Sequence, residues 1–415
     1  MGDPPAAHLA GDFGQALIHW QLVTFYRMRL KRYATFFLAA LGVGLYIGTL
    51  TLLRFDGDFI VLYTADVSLR HGVNPYNLLA VRTLFASLPG GLPVSVSLSP
   101  LAYPPWYLLS TFYLGWLPPA IAARVWYLLN TAMISLSIWL LAEGWSIKKR
   151  FLTVCAAIFF LPVYGLLIVG QYTAPLLLGA TLFLHAVRRE SVWGAILGLL
   201  LLTFKPHFGG WIFLAGAGWL LFRQTKRHYP YRVLAGTLTG GLLLAGVSLL
   251  LIPTWPQDYW QAIRGFGAME TFVTCDICAS LPVLLTKWIT GRASMTGGVI
   301  AGIGLLLLIT SGVVIWKCSI LQDLDTLLAF AILLALLLMP YGINYDFMLL
   351  IFPLLWLMRR VHRRGDWLAP GFAYLIPWLA LLLFDRQAVN ISLSFSAILL
   401  LTVLLFSPQS AEAAG

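Results

Sequence analysis

Apolar stretches of about 20 residues, separated by short polar breaks, run through most of this sequence and match the length of a transmembrane helix. Charged residues make up 10% of the chain and hydrophobic residues 60%, whereas soluble globular domains carry roughly 25% charged residues. A membrane β-barrel would alternate apolar and polar residues one by one, and this sequence does not. The pattern therefore predicts an all-α, polytopic membrane protein.

Hydropathy divides the chain into about twelve predicted transmembrane helices. They lie near residues 33–53, 119–142, 151–168, 172–187, 191–204, 207–222, 232–252, 296–316, 324–339, 347–358, 367–384 and 388–406. The apolar segment 101–117 is interpreted as a re-entrant or interfacial helix, because counting it as a span would place the basic residues 148–150 outside.

The distribution of Lys and Arg predicts the orientation. With a basic N-terminus inside, 18 of the 27 Lys and Arg residues fall on the cytoplasmic side, while the 16 acidic residues divide evenly. A bias confined to basic residues is the positive-inside rule. The net charge of +11 is explained in this way without a nucleic-acid partner, and both termini are predicted to be cytoplasmic.

Three regions follow from this topology. Residues 1–32 form a predicted cytoplasmic segment, which is either an interfacial amphipathic helix or a solvated basic tail. Residues 33–406 form one predicted transmembrane domain with two long outer loops, 54–118 and 253–295, that carry interfacial helices. Residues 407–415 are a predicted cytoplasmic tail.

The unusual polar residues all fall on the predicted outer face. Lys205 and Asp346 lie inside otherwise apolar sequence, where a charge is costly and points to function. A carboxylate there can take a proton from a hydroxyl group, and a cation opposite can stabilise a phosphate leaving group. Such a pocket suits an enzyme whose sugar donor is anchored in the bilayer.

Several motifs carry a resemblance to a known family. The runs GDFIVLYTADVSLRHGVNPYN, YPPWYLL, LPPAIAARVWYLLN, GQYTAPLLL and LTFKPHFG, in this order, resemble glycosyltransferase family 87 over roughly residues 50–360. This GT-C-fold group includes polyprenol-phosphate-mannose-dependent α-1,2-mannosyltransferases. The resemblance implies a polyprenyl-phosphate hexose donor, most simply mannose, a glycolipid or glycan acceptor, inversion at the anomeric carbon, and no metal or other cofactor.

The resemblance also implies roles for particular residues. Asp58 matches the family's general base, with Asp56 as the alternate. YGINYDFMLL resembles a late outer segment of the family, but Tyr345 stands where a histidine is expected, so a histidine-dependent role does not carry over. The remaining candidates are Lys205, His207 and Arg264 for the donor phosphate, and Gln171, Tyr103, Asn344, Asp346, Asp66 and Tyr76 for sugar and acceptor.

Structural explanations compete with these roles. Asp58 also suits a helix cap, Lys205 a side chain that snorkels to the interface, and Gln171 a partner for backbone groups at a broken helix. Cys275 and Cys278 form a CxxC pair without further ligands, which indicates either a disulfide or two free thiols and not a zinc site.

Two other functions remain open at this level. A polytopic transporter or lipid flippase would show repeated halves and charges near the middle of the bilayer, and neither is evident here. A non-catalytic subunit of envelope assembly is not excluded by sequence.

Overall fold

The computed structural model describes residues 44, 46, 48–49, 57–88, 101–222, 228–267, 278–290, 297–317, 323–339, 342–360 and 367–406. The chain divides into two units, Met1–Leu53 and Arg54–Gly415. The predicted interfacial helix of residues 1–32, the tail 407–415 and almost all of the predicted span 33–53 lie outside the described residues. All helices with described boundaries belong to the second unit.

The described part of the chain is helical and contains no β-strand, which agrees with the predicted all-α class. Its α-helices are α1 (Phe59–Arg70), α2 (Leu78–Ser87), α3 (Pro105–Thr111), α4 (Pro119–Leu141), α5 (Ile147–Ile158), α6 (Leu161–Val169), α7 (Ala174–Arg188), α8 (Val192–Leu202), α9 (Pro206–Phe222), α10 (Tyr229–Leu251), α11 (Trp255–Gly267), α12 (Leu281–Thr290), α13 (Gly297–Lys317), α14 (Leu324–Leu338), α15 (Ile351–Arg360), α16 (Leu368–Leu383) and α17 (Arg386–Phe406). Two 3₁₀ helices, Phe112–Trp116 and Asn344–Leu350, interrupt the series.

Fewer helices are long enough to span than the sequence predicts. By length and composition, α4, α10 and α17 can cross a membrane, and α5 with α6 adds a fourth if this pair, bent by 62°, counts as one span. The predicted number of about twelve is therefore not confirmed within the described residues. The discrepancy arises because several predicted spans correspond to short helices: the predicted span 191–204 contains α8, which has 11 residues, about 16 Å of helix, against roughly 30 Å of hydrocarbon.

Segment 101–117 is divided between α3 and the first 3₁₀ helix, and neither piece has the length of a span. Tyr107 and Leu108 on its inner side are fully buried. Gly115 approaches so closely that an added Cβ would lie 2.8 Å from the backbone of Asp66 in α1. This segment therefore packs under α1 as a short helical layer.

Polar side chains collect at the two opposite ends of α7. Thr173 precedes its first residue, and 15 residues later Arg188 pairs with Asp325 at the beginning of α14. Arg359 also approaches Asp325, at 3.7 Å, and Arg360 pairs with Asp323. The basic end and the end that carries Thr173 are thus about 22 Å apart along the helix.

The C-terminal end of α6 depends on a glycine. Gly170 adopts φ +72°, the left-handed conformation in which glycine commonly ends helices. An added Cβ would lie 2.6 Å from Cβ of Phe59, so α1 and α6 approach closely at this point. Gly72 has a similar φ of +69° but no atom within 4 Å of such a Cβ. Comparing the two glycines therefore distinguishes the cost of backbone strain from the cost of steric crowding.

We expect Gly72→Ala to destabilise the detergent-solubilised protein by about 1 kcal/mol, the cost of the left-handed backbone alone. Gly170→Ala should cost a further ~1–3 kcal/mol, because Phe59 must move. Thermal unfolding of the two variants measures the difference. Equal unfolding midpoints would show that the contact between Gly170 and Phe59 is not tight.

Candidate active site

Asp58 stands immediately before α1 and is half-buried. Its side chain makes no capping bond to the helix, so the interpretation as a helix cap is not supported. Instead, Oδ2 accepts a hydrogen bond from Tyr345 Oη at 2.6 Å and another from Gln171 Nε2 at 2.7 Å. Both donors use the same oxygen, and no described residue donates to Oδ1.

Backbone conformation brings Asp58 to Gln171. Gly57 has φ +90°, and a Cβ added there would lie 3.1 Å from the carbonyl oxygen of Val169, so these two segments of the chain are in close contact. Trp126 Nε1 donates to the carbonyl oxygen of Gly170 at 2.8 Å and holds the turn after α6. Residues 113 positions apart in sequence therefore meet through two glycine-containing turns.

The Gln171 amide has a defined orientation. Its Oε1 accepts from the backbone N–H of Tyr172 at 2.6 Å and from the hydroxyl of Tyr103. Its Nε2 must therefore face Asp58 and Tyr345, and the Nε2–Tyr345 Oη distance is 2.8 Å. The Tyr76 hydroxyl donates to the backbone carbonyl oxygen of Tyr103 at 2.7 Å and so helps to fix the position of Tyr103.

A buried ion pair lies beside this cluster. Lys205, directly before α9, is 3% exposed and pairs with Asp346 Oδ1, a side chain that is 1% exposed. Thr173 Oγ1 donates to the same oxygen at 2.6 Å and accepts from Lys205 Nζ at 3.2 Å. Asp346 Oδ2 accepts the backbone N–H of Ile343 at 3.3 Å. The ammonium group is enclosed by these partners and is not exposed at the protein surface, which does not support the snorkelling interpretation.

The two groups of residues interact electrostatically. Burial raises the pKa of Asp58 above its ordinary value, while the hydrogen bond from Tyr345, the charge of Lys205 and the hydrogen bond from Gln171 oppose this and the charge of Asp346 adds to it. A raised pKa makes a carboxylate a stronger base once it is ionised.

Other predicted site residues do not join the cluster. Asp66 is fully buried on α1 and accepts from Thr111 Oγ1 at 3.0 Å, and burial raises its pKa well above the ordinary range. His207 packs on Phe208 with ring centroids 4.8 Å apart. Exposed Arg264 lies over the Trp260 ring at 4.9 Å.

Two further predicted residues remain peripheral or outside. Asn344 begins the second 3₁₀ helix and is half-buried, and no hydrogen bond joins its side chain to a described member of the cluster. Asp56 lies outside the described residues.

Sequence reasoning missed Tyr345 and Thr173. Tyr345 lies between Asn344 and Asp346 in the sequence, and Thr173 lies two residues after Gln171 in the GQYT motif. Proximity to these candidates was the signal available. The sequence marks Tyr345 only as the residue that stands where the family resemblance expects a histidine, and a threonine near a span end is ordinary in membrane proteins.

No group of three or more His, Cys, Asp or Glu side chains in the described part of the chain is placed to hold a metal ion. The polar groups present are two carboxylates, one ammonium, one amide and several hydroxyls. Together they can accept a proton, hold sugar hydroxyls and balance one negative charge.

Comparison with known proteins decides the family. The profile of glycosyltransferase family 87 matches residues 101–341, more than half of the chain. The chain belongs to glycosyltransferase family 87. No curated protein and no solved structure matches it.

Membership of family 87, together with the apolar helices, makes this chain a membrane glycosyltransferase and does not favour a transporter or flippase. The family-87 match contains Tyr103, Gln171, Thr173 and Lys205. Asp58 and Asp346 lie outside the matched residues, so their place in the site depends on the geometry.

Removing one member of the buried pair should destabilise this family-87 chain strongly. We expect Lys205→Met and Asp346→Asn each to cost about 3–5 kcal/mol, because the remaining charge is buried without its partner. The double variant should recover most of the loss. Arg189→Met, which breaks the exposed pair with Glu143, serves as the control and should cost less than about 1 kcal/mol.

Denaturant titration in detergent measures these four free energies of unfolding. A double variant no more stable than the worse single variant would show that Lys205 and Asp346 do not compensate each other.

Proposed function

We propose that this glycosyltransferase moves a hexose, with mannose the first candidate, from a polyprenyl-phosphate donor to a hydroxyl group of a glycolipid or glycan at the outer face of the cytoplasmic membrane. One observation carries the proposal: Oδ2 of the Asp58 carboxylate accepts two hydrogen bonds, Oδ1 has no donor among the described residues, and a buried lysine lies nearby. A general base and a phosphate-compensating cation are the two groups that such a transfer needs.

The chemistry is a single displacement. The acceptor oxygen attacks the anomeric carbon while Asp58 Oδ1 takes the hydroxyl proton. The bond between the anomeric carbon and the phosphate oxygen breaks, and the polyprenyl phosphate leaves with the electron pair. Attack opposite the leaving group inverts the configuration, so a β-linked donor yields an α-glycoside.

Lys205 is the candidate cation for the departing phosphate. An ammonium group has three N–H donors, of which Thr173 and Asp346 take two. The third has no hydrogen-bond partner among the described residues and suits a phosphate oxygen. In this proposal Gln171 and Tyr103 offer hydrogen bonds to sugar hydroxyls, at the cost of the bonds between them.

The proposed outer location has support from Cys278. This residue is disulfide-bonded, and disulfides persist in oxidising compartments outside the cytoplasm. Cys278 forms a β-bridge with Ile343, and Ala279 N–H donates to the carbonyl oxygen of Gly342 at 2.6 Å. The segment that carries the disulfide is therefore in contact with the loop that carries Asp346.

The catalytic role of Asp58 is tested by Asp58→Asn. Loss of the general base should lower kcat by about 10²–10⁴-fold without changing the unfolding midpoint. Asp385→Asn is a matched control, because Asp385 is exposed and caps α17 by accepting the Ala388 N–H at 2.8 Å. The assay follows radiolabelled hexose from synthetic polyprenyl-phosphate mannose, glucose or galactose into acceptor glycolipids.

Each outcome of this assay is informative. Full activity of Asp58→Asn together with an inactive Asp56→Asn would assign the base to Asp56. Absence of transfer from all three donors by the wild-type protein would reject the donor class. A β-linked product from a β-linked donor, seen by NMR, would reject the single displacement.

Thiol chemistry tests the location. In intact cells, a membrane-impermeant maleimide should label Cys278 only after reduction, while Cys155, a free cysteine on α5, should not react until the membrane is permeabilised. Peptide mapping by mass spectrometry distinguishes the two. Labelling of Cys278 without reduction would contradict the disulfide, and labelling that required permeabilisation would place this loop in the cytoplasm.

A further inference from the structure

Tyr345 forms a closed triangle of hydrogen bonds with Asp58 and Gln171. Its hydroxyl lies 2.6 Å from Asp58 Oδ2 and 2.8 Å from Gln171 Nε2, and Nε2 lies 2.7 Å from the same Oδ2. The Tyr345 side chain is 6% exposed, so water does not substitute for these partners.

The hydrogen atoms in this triangle are fully assigned by counting. The Gln171 Nε2 has two hydrogens and directs one to Asp58 and one to Tyr345. The Tyr345 hydroxyl has one hydrogen, and because it accepts from Gln171, it donates to Asp58. Oδ2 therefore receives two hydrogen bonds, and Oδ1 is the oxygen at which a new proton can bind.

We propose that Tyr345 is a positioning residue for the general base: its hydroxyl holds Oδ2 of Asp58 and keeps Oδ1 available for the proton of the acceptor. This inference rests on the proposed function, since it requires Asp58 to be the base. It gives a role to the tyrosine that stands where the family resemblance expects a histidine.

The loop around Tyr345 couples the base to the buried ion pair. Tyr345 immediately precedes Asp346 in the second 3₁₀ helix, and the Lys205 ammonium lies 5.5 Å from the centroid of the Tyr345 ring. A displacement of this turn would move the partner of the base and the partner of Lys205 together. The residue is thus suited to keep the two reacting groups at a constant separation.

The sign of the pH effect follows from the groups that face Asp58. Tyr345, Lys205 and Gln171 lower its pKa, Asp346 raises it together with burial, and the Tyr103 hydroxyl also faces this charge. Removing the Tyr345 hydroxyl eliminates one interaction that favours the ionised form. The pKa of Asp58 then rises. As the pH is lowered, the base becomes protonated, and activity is lost, at a higher pH than in the wild type.

The test compares Tyr345→Phe with Tyr63→Phe. The first variant keeps the ring beside Lys205 and removes only the hydroxyl. The second removes the hydroxyl of Tyr63 on α1, a residue of equal overall exposure, which donates to the carbonyl oxygen of Leu117 at 2.9 Å. Rates of hexose transfer are measured against pH for both variants and the wild type.

We expect Tyr345→Phe to lower kcat near neutral pH by about tenfold or more, the equivalent of one hydrogen bond to a charged group. The acidic limb of its pH profile should move to higher pH, with KM for the donor unchanged. Tyr63→Phe should leave the profile in place. A Tyr345→Phe profile that superimposes on the wild type would overturn the inference.

Failure of this inference and failure of the proposed function are distinguishable. If Asp58→Asn is inactive but Tyr345→Phe has the wild-type profile, Asp58 remains the base and Tyr345 has no positioning role. If Asp58→Asn is fully active, the base is misassigned and the inference falls with it. A uniform loss of kcat with no movement of the acidic limb would indicate a purely structural role for Tyr345.

Discussion

The arrangement of the site depends on one buried ion pair, Lys205 with Asp346. Two charges removed from water are tolerated only when their remaining hydrogen-bonding capacity is used, and here Thr173 and the Ile343 N–H supply it. These partners come from the turn before α7, the turn before α9 and the loop after α14. The pair therefore ties three separate parts of the chain to one point, and Tyr345 and Gln171 are placed by the same turns.

Charge balance connects this pair to the proposed reaction. With Asp58, Asp346 and Lys205 all ionised, the described cluster has a net charge of about −1. When Asp58 accepts the proton of the acceptor, that excess disappears. In the same step the departing phosphate gains negative charge, so the charge near Lys205 changes little during the transfer. A site of low dielectric favours this kind of compensation because uncompensated charge is expensive there.

Much of the cluster was accessible from sequence for a simple physical reason. Lys205 and Asp346 are charged residues inside apolar sequence, and such residues are costly unless they have a function. Gln171 was indicated by its place on the predicted outer face, and Asp58 by the family resemblance. His207, two residues beyond Lys205, packs on Phe208 and has no hydrogen bond to a described member of the cluster, so its role at the donor phosphate stays a prediction. Tyr345 was not predicted as a site residue because it stands where the family resemblance expects a histidine, so a histidine-dependent role did not carry over.

The number of spans was the part of the fold that hydropathy could not supply. Hydropathy separates the apolar runs on either side of a break of a few residues, such as Gly170 to Thr173 between α6 and α7, but it does not show that the helices formed there are too short to cross a bilayer. Those breaks place both polar side chains and the backbone groups of helix ends at the site, whereas a continuous helix would have its backbone groups hydrogen-bonded internally.

The same breaks have an electrostatic consequence. α7 begins directly after Thr173 and α9 directly after Lys205, so two helix N-termini, each with partial positive charge, lie next to Asp346 and the candidate phosphate position. Pro175 and Pro206 occupy their first turns, where a missing N–H costs nothing. Short helices that cannot cross the bilayer alone therefore add positive potential beside Lys205, which lowers the cost of burying Asp346 and favours a negatively charged leaving group.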